Sequence, residues 1–411
     1  MKTPDKKSFS GKRGDNIRSD CYFEIISKKQ GGLKIELKSK VGALYGESIK
    51  NRIREICGFF EFPNLDVYCE DSGALPFVLA ARLEYALKKL SGKNDEEYLL
   101  PFNPKNLYGS EKERLRRSRL YLPGNEPKFF INSGLHSPDG IILDLEDSVS
   151  PSEKEAARLI VRNALRSVDF YGAERMVRIN QIPYGLEDLK YIVPHNVHVI
   201  LIPKCESPGQ IKEVENEVRR LKDKNKISGN IYFMPIIESA LGVIKAFEIA
   251  EASQFNCALA IGLEDYTADI GTQRTNEGKE SLFARSMLIN AAKASGIQAI
   301  DTVFSDVSDT EGLKQSVLEA KALGFEGKGC IHPRQIKTVH EAFAPSPGEI
   351  EKAKKIVLAY EEAERKGLGV VSLGSKMIDA PVVKRAHRTI QLAVMYNLIG
   401  KDWREEKDNT K

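Results

Sequence analysis

The chain has 411 residues, enough for two or three domains or for one large barrel with an appendage. Apolar residues make up 41% and charged residues 29%, a balance that excludes global disorder. With 62 Lys+Arg against 58 Asp+Glu the net charge is only +4, which gives no global case for nucleic-acid binding; nor does any apolar run approach the roughly 18 residues of a membrane span.

The amino terminus, MKTPDKKSFSGKRGDN, is charged without an apolar centre and does not read as a secretory signal. The first fifty residues carry 12 Lys/Arg against 6 Asp/Glu, which suits either a solvated lysine-rich surface or a phosphate-bearing partner. DCYFEII (20–26), LKIEL (33–37) and LDVYCED (65–71) read as strands. Residues 41–58 place Val41, Leu44, Tyr45, Ile49, Ile53 and Ile56 on one helical stripe, and ALPFVLAARLEYALKKL (74–90) reads as a second helix. These make a small α+β module over 14–90, followed by a polar linker over 91–113.

From there the rhythm changes. Eight short apolar runs alternate with helical stretches: SRLYLPG (118–124), GIILDLED (140–147), MVRIN (176–180), VHVILIPKCES (197–207), IYFMPIIES (231–239), ALAIGLED (258–265), QAIDTVF (298–304) and GKGCIHP (327–333). Eight β/α units predict an α/β fold, a (β/α)8 barrel over 114–345. An open doubly wound sheet is the alternative, although no GxGxxG follows the first strand. Helices and a glycine-containing lid follow over 346–411, with a helix at 349–366 and the lid at 367–393. The six cysteines are widely scattered with no CxxC, and read as reduced thiols in a cytoplasmic protein.

The chemical signal is positional. Successive strands end in Asp144, Glu146 and Asp147; Arg178 and Asn180; Lys204 and Glu206; Glu238 and Ser239; Glu264 and Asp265; Asp301 lies in the seventh strand and His332 closes the eighth. Taken singly, such a residue is an ordinary cap for the next helix. Taken together on the active face of a barrel, they call for a metal or an anionic ligand. Carboxylates suit a hard cation, Mg2+ or Mn2+ in its place, whereas the six histidines show no zinc-ligand spacing. No GxxxxGK[ST] is present. Arg178 suits a carboxylate or oxo-acid substrate; its alternative use is a structural ion pair with Asp144 or Glu146. Asp379, just ahead of Ala380 and Pro381, reads from sequence alone as a helix cap.

Residues 114–393 resemble the citrate lyase beta-subunit family of the HpcH/HpaI aldolase superfamily, which includes malyl-CoA and citramalyl-CoA lyases. The resemblance rests on RRSRLYLPG, ILDLEDSV, VRIN, LIPKCES, PIIESALGV, AIGLEDYTADIG, GCIHPRQI and GSKMIDAPVVKRA, in family order. It implies a Mg2+-dependent homotrimer that cleaves a 3-hydroxyacyl thioester, citryl, citramalyl or malyl, into an oxo acid and an acetyl thioester. It implies Glu238 and Asp265 as metal ligands, Arg178 on the oxo-acid carboxylate, and Glu146, Asp147, Lys204 and Gly262 lining the site. Asp379 is then the acid/base, supplied from a neighbouring subunit's lid. A thioester hydrolase of the malyl-CoA type, a metal-dependent pyruvate aldolase and a non-catalytic assembly subunit are the alternatives.

Residues 14–90 resemble the acyl-carrier (gamma) subunit of citrate lyase, on GDNIRSDCYFEI, IELKSKVGALYGESIKNRIREI and DVYCEDSGALPFVLAARLEYAL. That resemblance implies a serine, two residues before an Asp, bearing a phosphoribosyl-dephospho-CoA arm. Aligned on Asp20, this place is Arg18, with Ser19 one residue late. Arginine cannot form the phosphodiester, so either Ser19 serves or the arm is lost. Loss is the preferred reading. It leaves the module a structural role and makes free CoA thioesters the substrates, with a citrate lyase alpha-like subunit as a candidate partner.

Overall fold

The computed structural model describes residues 6–92, 96–365, 371–373 and 376–404. Its first layer is a four-stranded sheet of order β1-β2-β4-β3, from β1 (Lys7–Gly11), β2 (Cys21–Ser27), β3 (Leu33–Ser39) and β4 (Leu65–Asp71). Two helices cover it, α1 (Gly42–Phe59) and α2 (Pro76–Ser91). Helix α1 buries Ile49, Ile53 and Ile56 of the predicted stripe, with Cys57, while Leu44 and Tyr45 in its first turn are exposed. Strand β1 is not among the predicted elements. Its sequence, KSFSG, lacks the β-branched residues that mark a strand, and the segment is extended because it pairs with β2.

Helix α2 is buried nearly all round because it is covered on two sides, by this sheet and by α3 (Lys154–Ser167). The polar groups it carries into that interface are all partnered. Arg82 makes a bidentate pair with Asp20, at 3.0 and 2.7 Å. Glu84 receives Arg162 of α3 at 2.5 and 2.9 Å, both side chains being 0% exposed, and Lys88 at 2.8 Å. A single apolar core runs from the first sheet into the barrel. Replacing Arg162 by Met leaves Glu84 without that guanidinium in a dry interface. We expect a loss of about 3–5 kcal/mol in urea unfolding.

The expected linker is more than a tether in its described part. Tyr98 and Leu100 are buried, the Leu100 carbonyl accepts from Arg166, and the fully buried Asn106 donates to the Val168 carbonyl. Its polar composition hid this packing, because its buried polar groups are satisfied by partners at the end of α3 and just beyond it.

The eight predicted runs form β5 (Ser118–Pro123), β6 (Gly140–Asp144), β7 (Glu174–Arg178), β8 (Val199–Ile202), β9 (Tyr232–Ile237), β10 (Ala258–Ile261), β11 (Gln298–Asp301) and β12 (Gly327–Cys330). All pair in parallel, and β12 closes on β5 through Lys328–Ser118, Gly329–Arg119 and Cys330–Leu120. Helices α4 (Gly185–Ile192), α5 (Pro208–Asn225), α6 (Ala240–Ile244), α7 (Ala246–Glu251), α8 (Leu263–Asp269), α9 (Leu282–Ala294), α10 (Thr310–Leu323) and α11 (Arg334–Phe343) complete the β/α units with α3. Alternate residues fill the interior, among them Ile142, Met176, Leu201, Met234, Ile236 and Ile300, while their neighbours pack outward on the helices.

The chain ends in α12 (Pro347–Arg365), a hairpin of β13 (Val371–Leu373) and β14 (Lys376–Ile378), and α13 (Ala380–Met395). Arg388 and Tyr396 tie α13 to Glu326 and Arg117, beside the starts of β12 and β5. The glycine-containing part of the expected lid falls largely on 366–370 and 374–375, outside the described residues. Among the described residues no helix is long and apolar enough to cross a membrane.

Candidate active site

The carboxyl ends of the strands surround a cavity of about 320 Å³ lined by Tyr121, Asp144, Arg178, Glu238, Gly262 and Asp265, among others. A larger groove of about 1030 Å³ beside α8 and α10 adjoins it through Leu263 and Glu264.

Lys204 is the hub of the cavity's rim. It follows β8 with φ at +46°, a left-handed conformation that costs a side-chain-bearing residue free energy. The turn points its backbone N–H at Glu238 Oε2, 3.1 Å away. Its ammonium lies 3.3 Å from Glu146, 3.1 Å from Asp147 and 3.8 Å from Asp265. These carboxylates, Glu146 first, hold the Lys204 ammonium charged well above the ordinary lysine range, against the opposing effect of burial.

Glu238, at the end of β9, is buried and packs on Gly262, where a Cβ would sit 2.5 Å from Oε1. Burial pushes the Glu238 carboxyl up to about 8; Asp265 and Glu146 add to this, and Arg178 opposes it. A buried carboxylate beside two more is a site short of positive charge. Among the described residues no three His, Cys, Asp or Glu side chains form a ready-made metal cage. Mg2+ asks for less: one or two carboxylates, with water and substrate completing its shell.

Arg178 ends β7 and makes a bidentate pair with Asp144, both bonds 2.7 Å, plus an ion pair with Glu146 at 2.9 Å. Burial would raise Asp144, but the Arg178 hydrogen bonds hold its carboxyl below the usual range. The structural ion pair is therefore present, with Asp144 on the Nε edge of the guanidinium and Glu146 at Nη1. Arg178 also lines the cavity and brings it a fixed positive charge.

The structure thus brings together Glu146, Asp147, Arg178, Lys204, Glu238, Gly262 and Asp265. It does not bring Asp379 to the cavity of its own chain: that carboxylate caps α13, accepting from the Val382 N–H at 3.2 Å. Ser19 lies in the amino-terminal module, at φ +53° with its N–H on the Ser72 carbonyl at 2.9 Å, and does not line this cavity. Several polar strand ends serve structure. Ser239 caps α6, Glu206 accepts from Ser239, Asn180 bonds Asp188, and Asp301 pairs with Lys328 and Arg285. Tyr121 is one lining residue that sequence reasoning missed; Arg178 stands over its ring at 5.4 Å. The signal was the alternation in SRLYLP, which sends Arg119 and Tyr121 to the same inner side.

A closed parallel (β/α)8 barrel with charged groups gathered at its carboxyl end defines the chain as a barrel enzyme. Residues 117–333 match the HpcH/HpaI aldolase/citrate lyase family, and the chain belongs to it. Residues 14–90 match an acyl-carrier family described as malonate decarboxylase delta subunit (MdcD). The citrate lyase subunit beta of Leuconostoc mesenteroides subsp. cremoris is 42% identical over 290 residues, 70% of this chain and 96% of that protein. Human mitochondrial citramalyl-CoA lyase is 34% identical over 290 residues, 68% of this chain and 85% of that one. The protein CitE from Mycobacterium tuberculosis, in complex with magnesium, acetoacetate and coenzyme A, superposes with a TM-score of 0.57 at 28% identity, covering 69% of this chain and 99% of that one.

Proposed function

We propose that the protein is a Mg2+-dependent carbon–carbon lyase that cleaves a citryl-like 3-hydroxyacyl thioester of coenzyme A into an oxo acid and an acetyl thioester. The observation that carries this reading is the buried Glu238 carboxyl beside Asp265, at the mouth of a cavity sized for a small acid. The relatives support it: two are named as a citrate lyase subunit and a citramalyl-CoA lyase, and the similar solved structure contains magnesium and coenzyme A.

Glu238 and Asp265 are the residues that would hold Mg2+, which when bound supplies Lewis-acid stabilisation of charge developing on the substrate oxygen. Asp379, presented by a neighbouring copy in a homotrimer, takes the substrate's hydroxyl proton. The carbon–carbon bond then breaks toward the thioester, whose enolate carbon takes up the proton that Asp379 has accepted. Arg178 and Lys204 keep positive charge beside the oxygens that become more negative. Glu146 and Asp147 hold Lys204 in place.

The amino-terminal module, 14–90, is read as a fixed domain that has lost its arm. Arg18 occupies the attachment place, and α2 is locked on α3 by buried ion pairs. The same reading divides the chain into a connection over 91–113, the barrel over 114–345 and the terminal helices and lid over 346–411. It places the enzyme in the cytoplasm, with a citrate lyase alpha-like subunit as a partner. Intact-mass measurement on protein from its native host is expected to show an unmodified chain; an added prosthetic mass would restore the carrier role.

The test of function is incubation with Mg2+ and citryl-, citramalyl- and malyl-CoA. Oxo acid together with acetyl-CoA is expected, and EDTA abolishes both. Free CoA without an acetyl thioester would mean a hydrolase instead. A second expectation concerns pH. Mg2+ binds the ionised Glu238, so the apparent affinity, read by calorimetry, should rise by up to about tenfold per pH unit until about pH 8 and then level off. Without metal, the folded chain holds this proton between its ordinary value of 4.5 and about 8 while the unfolded chain releases it. This group's contribution to stability therefore falls as pH rises through that window.

A further inference from the structure

Two residues before Tyr121, deeper along β5 and on the same inner side, Arg119 lines the floor of the cavity and is 1% exposed. Its guanidinium has poor company. One terminal nitrogen lies 3.0 Å from Met234 Sδ and the other 3.5 Å from the Asp301 carbonyl; Nε is buried with no partner among the described residues. The Asp301 carboxylate is committed elsewhere, to Lys328 at 2.7 Å and Arg285 at 3.3 Å. Other arginines as deeply buried are satisfied differently. Arg82, Arg116 and Arg162 each hold a carboxylate, and Arg175 donates to two backbone carbonyls.

A guanidinium stays charged when buried, and a buried charge without a counter-charge is unfavourable. Within the barrel the counter-charge has one open direction from which to arrive, the cavity itself. We infer that Arg119 is a specificity-determining residue that pairs with a second carboxylate on the oxo-acid half of the substrate, so that the enzyme takes esters releasing a dicarboxylic oxo acid over those releasing a methyl oxo acid. The inference rests on the lyase reading above and extends it from a class of thioester to one side group. A carboxymethyl group that reaches the floor supplies the missing charge. A methyl group in the same place leaves Arg119 as unpaired as before, and the choice is made by that difference.

The test compares citryl-CoA with citramalyl-CoA for the wild-type protein, Arg119→Met and Arg119→Lys, together with the Tm shift that free oxaloacetate or pyruvate gives in Mg2+. Wild type is expected to favour citryl-CoA in kcat/KM by roughly 10²-fold. Arg119→Met should remove that preference and leave citramalyl-CoA turnover within about threefold, while Arg119→Lys keeps part of it. Oxaloacetate should raise the wild-type Tm more than pyruvate does. Equal use of both esters by wild type, equal losses on both in Arg119→Met, or equal Tm shifts from the two acids would overturn the assignment. If Arg119→Met does not fold, the wild-type comparison and Arg119→Lys still decide. Cleavage of neither ester, with an Arg119-dependent oxaloacetate shift, would sink the lyase reading and leave the carboxylate site standing.

Discussion

Glu238→Gln is expected to abolish Mg2+ binding and to lower thioester cleavage by at least roughly 10³-fold, equivalent to about 4 kcal/mol of transition-state stabilisation. The substitution keeps the shape of a side chain that packs on Gly262, and its amide oxygen can still accept the Lys204 N–H. It removes only the charge. Because burial and its acidic neighbours already disfavour ionisation of Glu238, the neutral amide should leave the metal-free Tm unchanged or raise it. Loss of Mg2+ binding by calorimetry with an undiminished Tm is the combined result expected. Retained Mg2+ affinity would remove Glu238 from the metal site.

Asp379→Asn is expected to lower kcat by roughly 10²–10⁴-fold while Mg2+ binding and Tm stay as they were. Asparagine caps a helix about as well as aspartate, so the bond to the Val382 N–H can survive while the acid/base function goes. Asp379→Ala should lose the cap as well, at about 1 kcal/mol. The carboxylate does not line the cavity of its own chain, so the account requires a neighbouring copy to bring it there. Mixing Glu238→Gln with Asp379→Asn, each inactive alone, should regenerate activity once subunits exchange, because some cavities then receive an intact pair. Full kcat in Asp379→Asn would end its assignment as acid/base.

The barrel was legible because its strands are short, apolar and followed by polar residues, a pattern that survives burial on both faces. Glu238, Asp265 and Lys204 were legible as residues at strand ends, and Gly262 only through the family resemblance. How they are spent was not. Sequence does not show that Asp144 holds one edge of the Arg178 guanidinium, and Asp301 reads as a mouth residue until Lys328 and Arg285 claim it. Such choices depend on which of several nearby charges lies closest in three dimensions. Sequence spacing does not carry that information between different strands. Strand β1 was missed because its extension comes from pairing with β2 rather than from its own residues. Arg119 passed unnoticed inside an apolar run, where one cation has no visible partner to lack until the barrel closes around it.

The account stands most directly on where a divalent cation sits. A crystal structure of the protein grown with Mg2+ and an oxo acid should show one ion bound by both Glu238 and Asp265 at roughly 2.1 Å, with the acid completing its shell beside Arg178. An ion at some other group of residues, or a bound acid with no metal between these two carboxylates, would contradict it.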